Sequence, residues 1–150
     1  MSLSGRISSI PRGILICRII GLVVFAAAFL LPACREAGPM NAFTNAFKGW
    51  ECAKIALSAT FHKDSYESWN FLAVMSGWIN VLILIYLSFS FFPRFKRVRR
   101  SLAVAVLVCM AATWAFFWIA HLVPLAGHFM WIAGALMILA GEVAHRHRQD

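Results

Sequence analysis

Four cysteines and five histidines carry most of the reactive chemistry in this chain. Cys34 and Cys52 bound the stretch "CREAGPMNAFTNAFKGWEC", which lies between long apolar runs. In an oxidising compartment such a pair can close a short disulfide loop. The alternative is two inert small side chains at a membrane surface. Cys34 has a third reading, because "FLLPAC" ends a hydrophobic run as a lipidated, processed cysteine would. Leu31 and Ala33 suit that signal but Pro32 does not. The preceding run also exceeds the ~7–15 residues of a signal segment, so the N-terminus is expected to be retained. Cys17 and Cys109 fall inside apolar runs and read as small packing residues.

His62, His121 and His128 are expected on one side of the molecule, and three imidazoles can hold a metal or a haem. They are weak metal candidates: no carboxylate stands at ligand spacing, and His121 and His128 fall where an amphipathic ring is ordinary. No cofactor is expected. Asn80 and Thr113 stand deep in apolar runs, with Ser76 one turn from Asn80. Together with Trp78, Trp114 and Trp131 they are candidates for a ligand site, or for hydrogen bonds that hold helices together.

The elements that must position these residues follow from composition. The chain is 61% hydrophobic and 13% charged over 150 residues, with a mean hydropathy of +0.75. Four apolar runs, 13–31, 70–92, 101–123 and 125–143, are each long enough as a helix to cross a ~30 Å hydrocarbon core. In lipid, runs of that length must be helical to satisfy their backbone. The excess of Lys and Arg, 14 against 6 acidic residues, sits in short segments between the runs, which argues against nucleic acid as a partner. Arg6, Arg12, the run "PRFKRVRR" and Arg146 and Arg148 are placed in the cytoplasm by the positive-inside rule, and the balanced loop 32–69 is placed outside. Arg18 is expected to snorkel back to the headgroups.

Within the outer loop, Phe43, Phe47, Trp50, Leu57 and Phe61 form one apolar wedge on a helix starting near Asn41, so one bent or two short amphipathic helices are expected on the outer leaflet. The last run repeats Ala-Gly every seven residues, at Ala126 and Gly127, Ala133 and Gly134, and Ala140 and Gly141. That period marks a close-packed seam, most simply against the third run, with another subunit as the alternative. The fold class expected is all-α: a single-domain integral membrane four-helix bundle with an amphipathic extracytoplasmic loop helix.

The order "FLLPACRE", "GWECAKIAL", "WINVLILI", a basic loop and a Trp- and Gly-containing last helix resembles a group of small, uncharacterised four-helix bacterial inner-membrane proteins. The resemblance implies the same topology and membrane and supplies no activity. Membrane enzymes of the disulfide-bond oxidase and vitamin K epoxide reductase type use a Cys-x-x-Cys pair, which is missing here. The expected role is a non-enzymatic accessory protein that packs on another membrane protein or on itself within the bilayer. The rival is a binder or carrier of an apolar or amphipathic ligand, and an immunity or stress protein is a further class. A solid core around Trp78, Asn80, Thr113, Trp114 and Trp131 favours the accessory role. A pocket there with converging polar groups favours the binder.

Overall fold

Each expected apolar run is helical, with its ends moved by local chemistry. The computed structural model describes residues 12–37, 46–61, 68–90 and 92–146. Its elements are α1 (Arg12–Ala28), β1 (Pro32–Glu36), β2 (Phe47–Lys48), α2 (Gly49–Ser58) with a 3-10 turn Ala59–Phe61, α3 (Ser68–Ser90), a 3-10 turn Pro93–Phe95, α4 (Lys96–Ile119), β3 (Leu122–Pro124) and α5 (Ala126–Arg146). The class is mainly α, as expected. Pro93 starts the turn before α4, so the basic residues from Lys96 to Arg100 form the first turns of that helix rather than a loop. At its other end α4 stops early because His121 takes a left-handed conformation, φ 51°, which a helix cannot continue. Phe71–Ser90 and Lys96–Ile119 are long and apolar enough to cross a membrane, and Ala126–Ala140 is a shorter apolar stretch.

A three-stranded antiparallel sheet, in the order β2-β1-β3, was not legible in the sequence. β1 is central: Cys34 faces Phe47 on one side and Pro124 on the other, and Glu36 faces Leu122. Pro32 and Pro124 stand at strand ends, where a missing N–H is tolerated. The sheet ties the end of α1 to the start of α5, through Leu125 N–H donating to the Ala33 carbonyl at 2.8 Å and Ala37 N–H to the His121 carbonyl at 2.9 Å.

The helices pack chiefly as two pairs, α1 with α5 and α3 with α4, and α2 lies on α3. One apolar core joins the pairs, with Phe25 from α1, Ile79, Ile83 and Tyr86 from α3, Val106 and Met110 from α4, and Ala135, Ile138 and Leu139 from α5. The glycine seam of α5 therefore faces α1 and not α4, correcting the expected partner. A Cβ on Gly134 would stand 2.6 Å from the backbone nitrogen of Phe25 and 2.8 Å from the Gly21 carbonyl, and one on Gly21 would stand 2.8 Å from Met137 Cβ. Gly127 approaches Pro32 in the same way, at 2.6 Å from its carbonyl. The alanines of the repeat, Ala126, Ala133 and Ala140, are exposed and take no part in the seam.

Candidate functional site

The outer-loop helix positions the site, through a face of small residues. Asn41 and Phe43 lie outside the described residues, and Phe47 belongs to β2. α2 starts at Gly49, where Lys48 N–H donates to the Glu51 carboxylate at 2.7 Å. The first N–H groups of α2 are taken by carbonyls left over at the end of α1: Gly49 N to Leu31 O at 3.0 Å, and Trp50 N to Phe29 O at 3.1 Å. Trp50 and Phe61 are exposed. The face turned inward is Gly49, Cys52, Ala53 and Ala56, an i, i+3, i+4, i+7 set of small residues. Small side chains let α2 lie close on α3, where a Cβ on Gly77 would come within 2.8 Å of the Ala56 backbone.

Beneath this helix is a cavity of about 60 Å³. α1 and β1 contribute Ala28, Phe29 and Ala33 to its wall. Its polar lining comes from four helices: Cys52 of α2, Ser76 and Asn80 of α3, Thr113 of α4, and His128 and Trp131 of α5. The candidates Asn80, Thr113 and Trp131 are thus brought together. Trp78 and Trp114 are not: neither lines the cavity, and they are 41% and 45% exposed.

Trp131 Nε1 donates to Asn80 Oδ1 at 3.0 Å, so Asn80 keeps its NH₂ group to offer a second partner. The Thr113 hydroxyl donates to the Cys109 carbonyl one turn back at 3.0 Å, which leaves its oxygen as an acceptor. His128 is 4% exposed, with ring centroids of Phe117 at 4.5 Å, Trp114 at 5.4 Å and a stacked Trp131 at 5.7 Å. Its Nε2 is buried without a hydrogen-bond partner. A buried nitrogen left so typically costs ~1–3 kcal/mol, which a water or ligand in the adjoining cavity would recover.

The Sγ atoms of Cys34 and Cys52 are 3.3 Å apart, and both are free thiols. Either sulfur can donate to the other, and to an ionised Cys34 the Cys52 thiol donates, which lowers the Cys34 pKa against the opposing effects of burial and the Glu36 charge. The same hydrogen bond, with burial, raises that of Cys52. Of the two thiols, Cys34 is therefore the one that ionises first.

His121 is exposed in its turn while His128 is buried among rings, and His62 lies outside the described residues. Among the described residues no group of three or more His, Cys, Asp or Glu side chains could hold a metal ion. Arg18, expected to turn toward headgroups, instead crosses to α3: its guanidinium donates to the Tyr86 hydroxyl at 3.4 Å and lies 5.9 Å from that ring's centroid. Comparison with protein-family models, with curated proteins and with solved structures finds no match to this chain, so the reading of its site rests on the site's own chemistry.

Proposed function

We propose that the chain is a four-span protein of a bacterial inner membrane, with both termini cytoplasmic, whose outer half binds the polar tip of a small or amphipathic ligand in the cavity beneath α2. The observation that carries the binding reading is convergence: Cys52, Asn80, Thr113, His128 and Trp131, from four helices, line one cavity. A solid core would have favoured the accessory role instead. At about 60 Å³ the cavity has room for a few water molecules, or for a carbonyl, hydroxyl or amide end of a larger molecule. Asn80 would donate to such a tip, and Thr113 would accept.

Membrane insertion is supported by more than the two long apolar helices. Large apolar side chains are exposed on every long helix: Ile16, Ile19 and Val23 on α1, Phe71 and Leu84 on α3, Val104 and Val108 on α4, and Phe129 and Leu136 on α5. Apolar surface so distributed needs a cover, and lipid covers all sides at once. α1 also supplies Phe25 to the core and Gly21 to the seam, so a chain processed at Cys34 would lose half of its main helix pair.

The test is native mass spectrometry of protein purified in mild detergent, compared with Ala53→Leu, which fills the cavity from α2. The wild type is expected to retain a small-molecule or lipid adduct that the variant loses. A wild type that carries none, with a variant that melts higher, would make the cavity a packing void.

A further inference from the structure

The cavity lies where the two helix pairs meet, and the two thiols stand on opposite sides of that junction. Cys34 is in β1, which continues from α1 and is hydrogen-bonded through β3 to the start of α5. Cys52 is in α2, which lies on α3. We propose that Cys34 and Cys52 form a redox latch that holds α2 closed over the cavity when bonded and lets it lift when reduced. The proposal rests on the ligand reading above and names its regulation.

Three observations carry it. The sulfurs are 3.3 Å apart, so a bond needs only a small closing movement. Cys52 lines the cavity, so the bond would form at the cavity's own wall. No described residue of α2 is fully buried, so without the bond the helix is held by the short β2 strand that leads into it, by two backbone hydrogen bonds at its first turn and by small-residue packing. An element with so little buried surface belongs to the low-stability end of a fold and opens locally.

The chemistry is thiol–disulfide exchange with a small disulfide RSSR. The Cys52 sulfur, half-buried where Cys34 is 4% exposed, passes its proton to the Cys34 thiolate as it attacks one sulfur of RSSR and releases one RS⁻, which then takes that proton from Cys34. The Cys34 thiolate then attacks Cys52 in the mixed disulfide and releases the second RS⁻. The two protons lost by the cysteines leave on two RSH, so RSSR is reduced as the pair is oxidised. Cys34 is suited to the second step because its sulfur already stands 3.3 Å from that of Cys52.

Hydrogen–deuterium exchange of detergent-solubilised full-length protein tests the latch. One sample is oxidised with oxidised glutathione, one is reduced with a phosphine, and a Cys34→Ala/Cys52→Ala variant is treated both ways. Oxidation is expected to lower the wild-type mass by two hydrogens. Reduction is expected to speed exchange of α2 amides by at least ~10-fold while α1 and α5 stay unchanged. The double variant should match the reduced protein under both treatments. Unchanged α2 exchange, failure of the bond to form, or loosening throughout the chain would each overturn the latch. An adduct retained with α2 exchange unchanged would sink the latch alone; a working latch with no adduct would sink the ligand reading.

Discussion

Removing one sulfur of the pair should move the titration of the other. In reduced wild-type protein, Cys34 ionises below the ordinary thiol range because Cys52 donates to it. Cys52→Ala removes that donor and leaves burial and the Glu36 charge, both of which disfavour a thiolate. The Cys34 pKa should therefore pass from below the ordinary thiol value to above it, read as thiolate absorbance against pH. An unchanged midpoint would mean that the sulfurs are not hydrogen-bonded. At this scale the sequence is partly legible. Asn80 and Thr113 are polar residues in apolar runs, and they do mark the site. Trp78 fails for a geometric reason: Ser76 and Asn80 are four residues apart and share a helical face, so the residue midway between them points to the opposite side. Composition alone cannot separate those faces. His128 reads equally well as an interfacial ring until Phe117 and Trp131 are seen to enclose it.

Between elements, the glycines decide which helices touch. Gly134→Leu puts a side chain where the backbone of α1 already stands, and overpacking of this kind typically costs ~1–3 kcal/mol. The variant should melt clearly lower in detergent, whereas Leu136→Ile on the exposed face should be close to neutral. Ile138, off the Ala-Gly repeat, is fully buried, so Ile138→Leu is a core swap expected to cost less than ~1.5 kcal/mol. Equal melting of Gly134→Leu and wild type would mean that α1 and α5 do not cross there. The seven-residue period identified the seam but not its partner. Sequence gives the face of a helix, while the partner depends on how the sheet joins the end of α1 to the start of α5. α2 adds a face that the bulky wedge does not point to, because its small residues Gly49, Cys52, Ala53 and Ala56 pack inward while Trp50 is exposed. A helix laid closely over other helices hides its small side, and its large apolar residues are left for lipid.

For the molecule as a whole, apolar residues exposed on all four long helices, Arg12 and the basic residues from Arg94 to Arg100 at one end, and the sheet and α2 at the other form one consistent arrangement. The ligand reading puts the cavity in the outer half of the bilayer, and the latch requires its thiols to face an oxidising compartment. Topology reporters fused within full-length protein test this most directly. Fusions after Phe95 and at the C-terminus are expected to report cytoplasm, and fusions near Ser58 and Gly127 to report the outside. Cytoplasmic activity at Ser58 would contradict the account, because it would put α2, the thiols and the cavity mouth on the reducing side.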